Sequence, residues 1–541
     1  MLNFFKNIWH RETPNVTSAA ILIGIASLAS RLVGVLRDRL LASTFGAGGS
    51  LDAYYAAFRL PDFFYQLIVL GAVSAGFIPV FAEYLEQKGK DEASKLVELV
   101  FSLMVTALGA VCIIMAIFAD RFVPWTVPGF TGEKLVTTIF LSRVLLISTF
   151  ILGLSAVMGG VLQATRRFIA FSFAPVLYNL GIILGIVFIA PKIGIVGVAW
   201  GVVIGAFLHF FVQSVVALPL AFNKLRLPNL HEPGIRRILR LTAPRIAALA
   251  STQVNDVILI ALASSLTAGS IAVFNLANNL QFVPIGLIGV SFAVAAFPAF
   301  SQFAAAKDTD GLRVAFLSTA RKIFFLILPS MAIMLLLRAQ IIRLLFGAGE
   351  FDWSATIRTA DALAMFVLSL GAQSVSPLIA RAFYALQDSK TPFFVAVLTV
   401  IINLSLALWL KGPFGVAGLA AAFTVGAYVQ FGLLWFLLRR RLGSLDGKEL
   451  FISLGKTALA SLALFGFGWL ARQYVGTIFP LRTFWQVALQ AGAALTLGIA
   501  AFSALAVLLK VKEYSEFLSA MKSKLLRKAK ITEGADQARG L

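Results

Sequence analysis

Cysteine, histidine and charge are all scarce in this chain, and each scarcity excludes something. Its one cysteine, Cys112, leaves no internal disulfide, and three scattered histidines, His10, His209 and His231, argue against a metal centre. Charged residues fill only 13% of the 541 positions, about half the share of a soluble domain, so a soluble fold is excluded. The loops carry no D-x-D cluster of acidic metal ligands and leave no room for a nucleotide fold. A membrane-bound glycosyltransferase is therefore not expected, nor any other enzyme. The first apolar run starts near Thr17 and lacks an A-x-A-like cleavage site, which reads as a retained first helix.

What the chain has instead is apolar length. Hydrophobic residues make up 59% of it, and its mean hydropathy is +0.90. A membrane-crossing helix takes about 20 apolar residues, and the runs here supply about fourteen such helices. The fold class is thus an all-α, polytopic membrane protein. The two longest runs, 53–84 and 269–303, contain Pro61, Pro79, Pro284 and Pro298, and bent or broken helices are expected there. Cationic side chains occupy alternate loops: Lys6 and Arg11, Lys88 to Lys95, Arg166 and Arg167, Lys224 to Arg240, Lys307 and Arg313, Lys390, Arg439 to Lys448, and the tail from Lys510. By the positive-inside rule both termini are cytoplasmic. The net charge of +21 then reads as topology and contact with anionic membrane lipids, with no nucleic acid implied. The segment "HEPGIRRILRLTAP" (231–244) reads as a surface amphipathic helix.

The chain also repeats itself. Residues 52–84, "DAYYAAFRLPDFFYQLIVLGAVSAGFIPVFAEY", align without a gap with 271–303, "IAVFNLANNLQFVPIGLIGVSFAVAAFPAFSQF". "LQATRRFIAFSFAPVLYN" (162–179) aligns with "LQDSKTPFFVAVLTVIIN" (386–403), ending on Asn179 and Asn403, and "IGIVGVAWG" (193–201) with "FGVAGLAAA" (414–422). Matches in one order indicate two pseudo-symmetric six-helix lobes plus a C-terminal helix pair. The boundaries expected are 1–222 for the N-terminal lobe and 223–242 for a cytoplasmic amphipathic linker. The second lobe follows at 243–440, then a helix pair at 441–510 and a basic cytoplasmic tail at 511–541. Parallel repeats of this kind suit transport by rocking one lobe against the other.

One helix carries charges where lipid would penalise them. "LASRLVGVLRDRLLASTFGAG" (28–48) holds Arg31, Arg37, Asp38 and Arg39, and a charge at mid-helix costs about 2.5–3.5 kcal/mol on insertion scales. At 100° per residue Arg31 and Asp38 share a face beside Gly34, while Arg37 and Arg39 point elsewhere, toward a cavity or to the interface. Arg31, near mid-span, calls for a water-filled cavity, and a guanidinium there matches phosphate oxygens in a bidentate fork. Arg59 and Asp62 flank Pro61 in the second run, as cavity groups or as a structural pair at a kink. Arg143 and Arg381 read as helix-end anchors. Asp256, with Asn255 and Asn403 as oxygen partners, is a candidate Na⁺ or H⁺ site, or simply a hydrogen-bonded buried carboxyl.

These stretches, with "LLFGAGEFD" and "RAFYALQDSKTP", resemble the MurJ/MviN family of lipid II flippases in the MOP exporter superfamily. The resemblance spans essentially the whole chain. It implies fourteen helices and an undecaprenyl-pyrophosphate-linked peptidoglycan precursor moved from the inner to the outer leaflet, in cell-wall biosynthesis. It places functional groups at Ser30, Arg31, Arg37, Asp38 and Asp52 and gives the last two helices a lipid-tail groove. The chain departs from the family pattern at Tyr65 and Asn279, where many members carry arginine; Arg59, Asn278 and Asn279 are the candidate replacements. The expected protein is a monomeric, multi-pass component of a bacterial inner membrane. It needs no cofactor beyond the membrane potential and an optional coupling ion. Two alternatives stand beside it: a cation-coupled drug or lipid-linked oligosaccharide exporter of the same superfamily, and a non-transporting scaffold.

Overall fold

The computed structural model describes residues 16–519 and 523, apart from 72, 225, 444, 446, 447 and 480–482. Lys6, Arg11 and the basic tail from 520 on, apart from 523, lie outside the described residues. Within them all regular structure is helical. The long apolar runs dictate this, because a backbone in hydrocarbon must satisfy its own hydrogen bonds. In order, the helices are α1 (Val16–Phe45), α2 (Gly49–Ala57), α3 (Arg59–Phe64), α4 (Ile78–Gln87), α5 (Gly89–Ile117), α6 (Ala119–Thr126), α7 (Gly132–Ala164), α8 (Phe168–Leu184), α9 (Ala190–Ile193) and α10 (Ile195–Ala221). There follow α11 (Pro233–Ser264), α12 (Ser270–Pro284), α13 (Ser291–Ala305), α14 (Thr309–Leu336), α15 (Arg338–Phe346), α16 (Trp353–Leu368), α17 (Leu370–Ala385), α18 (Lys390–Leu442), α19 (Lys448–Ile478) and α20 (Phe484–Leu508).

Among the described residues nine helices are long and apolar enough to cross a membrane, or ten if the pair α16–α17, bent by 43°, is one span. The stricter count reflects chemistry and geometry. The first and seventh runs, α1 and α11, carry charges, and the second is broken into α2, α3, two π turns and α4. The eleventh and twelfth are merged in α18, where Gly415 (φ 55°) interrupts the helical backbone. Both proline-bearing runs contain π turns, at Tyr65–Leu70 and Val73–Phe77 in one and at Ile285–Val290 in the other. The gapless alignment pairs 65–70 with 284–289, so the two runs widen at nearly the same register. Pro79 sits in the first turn of α4, directly after the π turn at Val73–Phe77.

The contacts divide the chain into two compact units. The first comprises Met1–Leu276, Leu345–Arg358 and Leu404–Leu419; the second comprises Ala277–Leu344, Thr359–Asn403 and Ala420–Leu541. In the first unit one core gathers Phe77, Phe81, Leu96, Leu108 and Val157, and Ile235 and Ile238 at the start of α11 join it. A second core there holds Leu41, Leu51, Leu145, Ile186 and Val202. In the second unit Phe300, Phe316, Ile379 and Phe383 form one core, and Phe325, Leu336, Leu464 and Phe502 tie the C-terminal pair to α14. Helices α8 and α10 meet backbone to backbone. A Cβ on Gly181 would lie 2.3 Å from Gly205 Cα, and one on Gly185 2.5 Å from Gly201 Cα. Glycines four apart on facing helices permit this approach, which replaces hydrophobic pressure as the cohesive force in lipid.

Candidate substrate-binding cluster

The cluster begins on α1. Asp38 is buried, and its Oδ1 accepts from Arg37 Nε (2.9 Å) and from an Arg37 terminal nitrogen (2.7 Å). The other terminal nitrogen of Arg37 donates to Asn179 Oδ1 at 2.8 Å, and Asn179 Nδ2 donates to Ser30 Oγ at 3.4 Å. Asn179 comes from α8, and its amide lies 3.9 Å from where a Cβ on Gly34 would stand. Tyr54, Tyr55 and Tyr178 lie within electrostatic reach of Arg37. Three of its five N–H donors are engaged, and its side chain is 23% exposed, so part of the fork remains available.

This geometry corrects the helical-wheel reading. Arg37 does not turn away from Asp38 but folds against it, because Asn179 and the tyrosines provide a polar niche on that side. Arg31 does not join the pair. It lies on the unpacked side of α1 with Ile25, Leu28, Leu32 and Leu36, exposed and with no ion pair among the described residues. Arg39 reaches the backbone carbonyl of Leu345 at 3.4 Å.

Asp52 is placed differently. It is 1% exposed; Oδ2 accepts from Lys134 Nζ (2.8 Å) and Gly269 N (2.7 Å), and Oδ1 from Ala272 N (2.9 Å). The carboxylate therefore caps the N-terminus of α12 and holds Lys134, whose ammonium also sits 3.8 Å from the Phe130 ring centroid. Its oxygens are occupied by protein.

Arg59, from α3, donates to Asn275 Oδ1, and its charge is felt by both Asp62 and Asp256. Asp256 belongs to the first unit and Asn403 to the second; Asp256 is hydrogen-bonded to Asn255. In the second unit Gln281 donates to Asn278 Oδ1 (2.7 Å), and Gln373 donates to Gln281 Oε1 (2.9 Å) and Ser369 Oγ (2.6 Å). This amide chain runs along α12 into α17; Asn279, beside it, is exposed. Arg143 donates to Ala116 O (2.9 Å) and Asp120 (2.7 Å), anchoring the end of α5 as its sequence position suggests, and Arg381 donates to Pro377 O within its own helix.

Two features escaped the sequence reading. Asn179 entered it only as the last residue of a repeat match, although it bridges Ser30 and Arg37. The tetrad FGAG occurs twice, at 45–48 and 346–349, and the two loops meet: Glu350 N donates to Ser43 O at 2.9 Å. A Cβ on Gly46 (φ 61°) would fall 2.6 Å from Glu350 O, and one on Gly349 (φ 55°) 2.2 Å from Ser43 O. The repeated tetrad was the available signal.

The family model described as lipid II flippase MurJ matches residues 41–485. The lipid II flippase MurJ of Burkholderia cenocepacia is 31% identical over 446 residues, 79% of this chain and 84% of that protein. The probable lipid II flippase MurJ of Rhizobium tropici is 30% identical, over 78% of this chain and 80% of the relative. Among solved structures, a lipid II flippase MurJ in an inward closed conformation superposes with a TM-score of 0.74 at 22% identity, covering 92% of this chain and 100% of that one. An inward-facing multidrug resistance MATE family transporter of the MOP superfamily gives 0.67 at 18% identity, over 80% of this chain and 99% of that chain. The match over most of its length makes this chain a member of the MurJ family.

Proposed function

We propose that this protein is a lipid II flippase: it carries an undecaprenyl-pyrophosphate-linked peptidoglycan precursor from the inner to the outer leaflet by alternating access. The observation that carries the reading is the family match across 41–485, joined to a helix α1 that presents Arg31 and part of Arg37 without enough acid to neutralise both. The unpacked side of α1 opens on a hydrated chamber, where Arg31, Arg37 and Arg59 take the anionic head group while the lipid tail stays in the bilayer beside α19 and α20. Ser30 and Asn179 orient Arg37, and Asp38 fixes its plane. Asp52 stabilises the start of α12 and contacts the cargo only if that cap opens.

The protein works in a bacterial inner membrane with both termini cytoplasmic. Support comes from the alternation of cationic loops: Lys88 to Lys95, Arg166 and Arg167, Lys307 and Arg313, and Arg439 to Arg441 fall on one side by the positive-inside rule. Moving negative charge outward across an inside-negative potential is favoured by about 2.3 kcal/mol per charge per 100 mV, so the field itself helps drive export. A coupling ion at Asp256 is optional in this scheme. Arg31→Ala should abolish flipping in a vesicle leaflet-exposure assay while folded protein is retained; wild-type transport by that variant rejects the assignment. Loss on Asp256→Asn with Arg31→Ala tolerated would instead select a cation-coupled exporter.

A further inference from the structure

Two arginines outside the cluster share one helix end with no acid between them. Arg472, on α19, donates to Leu336 O, the last residue of α14, at 2.9 Å; Arg338, two residues further on, donates to Leu335 O at 3.3 Å. The two guanidiniums lie within electrostatic reach of each other, and neither forms an ion pair among the described residues. Capping one set of terminal carbonyls explains a single cation. A second one gathered beside it is repelled, and that repulsion needs an anion to offset it.

The surroundings are built rather than loose. Gln340, 3% exposed, donates to Gln490 Oε1 at 2.7 Å, and Gln490 Nε2 donates to Arg472 O at 3.1 Å. This buried amide chain fixes the backbone that presents Arg472. Gly476 belongs to the same arrangement, since a Cβ there would stand 2.7 Å from Gln490 Nε2. The side-chain amide oxygen of Gln340 (Oε1) is buried and accepts no hydrogen bond among the described residues, leaving an acceptor for a ligand hydroxyl or N–H.

We infer that Arg338 and Arg472 form a site for a lipid phosphate, between the end of α14 and the C-terminal helix pair. Both residues sit at helix ends remote from Lys307, Arg313 and Lys448, so on the topology proposed above the site faces the outer leaflet. A phosphate ester bearing hydroxyl groups fits: two guanidinium forks for the phosphate, the Gln340 carbonyl for a hydroxyl. A resident phospholipid and the delivered pyrophosphate lipid share this chemistry.

Native mass spectrometry of the full-length protein in neutral detergent separates the sources, using phosphatidylglycerol and undecaprenyl pyrophosphate in separate titrations. The R338Q/R472Q variant should lose about tenfold in retention of at least one lipid, as expected for two lost charge-assisted contacts. Loss of phosphatidylglycerol alone identifies a resident phospholipid. Loss of undecaprenyl pyrophosphate alone identifies a release site. Arg31→Ala should leave phosphatidylglycerol retention unchanged, which separates this site from the cargo cluster, and Arg440→Gln controls for simple loss of charge. If the double variant does not fold, Arg338→Gln alone keeps the Arg472 cap and should still weaken binding. Wild-type retention of both lipids by the folded variant, or an equal loss in Arg440→Gln, overturns the site.

Discussion

At the scale of single residues, the charges in this membrane protein divide into those the fold consumes and those it leaves available. Asp52 is consumed. Its two oxygens take one ammonium and two backbone N–H groups, so Asp52→Ala strands Lys134 and the first turn of α12 together. Thermal unfolding in detergent should show a loss of about 3 kcal/mol, with Asp52→Asn falling between that and wild type. Asp388, in the turn between α17 and α18, shows the same economy at a loop. It accepts from Thr391 N (3.0 Å) and Thr391 Oγ1 (2.8 Å), and these bonds, foremost the backbone one, hold its carboxyl below the usual range against a smaller effect of burial, with Arg441 assisting. A depressed carboxylate stabilises above its unfolded pKa of about 4 and loses that contribution as pH falls through the folded value. Asp388→Asn should therefore melt lower than wild type at neutral pH, and the gap should close as pH falls through the depressed folded value. Equal melting at both pH values would remove the cap from the account. Arg31, by contrast, forms no ion pair among the described residues, which is why its removal should stop transport and spare the fold.

At the scale of elements, the sequence told most about what lipid demands and least about what side chains do sideways. Long apolar runs became helices, and the prolines marked two runs for bends or breaks: the run 53–84 is split into α2, α3, two π turns and α4, while 270–305 stays one span with a π turn at 285–290. Periodicity on one helix could not foresee that Arg37 would fold onto its neighbour Asp38, since the deciding partner, Asn179, arrives from a helix 142 residues away. Nor could it reveal the contact of α8 with α10, although the glycine spacing was visible. Each glycine in that contact stands where a Cβ would lie within about 2.6 Å of opposing backbone atoms, too close for any side chain. Gly201→Leu must force the helices apart; we expect poorly folded protein in detergent, read as early elution or aggregation by size-exclusion chromatography, whereas Gly466→Leu, which has open space, should elute as wild type.

At the scale of the whole molecule, the first contact unit collects segments distant in sequence: the loop after α1, the turn before α12, and 345–358. The paired FGAG loops are part of this gathering. If the transport cycle requires these ends to separate, a bond between them must arrest it. Ser43→Cys with Glu350→Cys should crosslink, since backbone atoms of the two residues are 2.9 Å apart, and flipping should cease until a reductant restores it. The one native thiol, Cys112, is buried and does not compete. Undiminished flipping by the oxidised pair would place the moving parts elsewhere. The glycine contact has a mechanical corollary. Two rods touching along their spines, with nothing compressible in the seam, can neither slide nor splay without opening a void, so α8 and α10 travel as one stiff plank, and any flexing during the cycle falls to joints that lack such a seam.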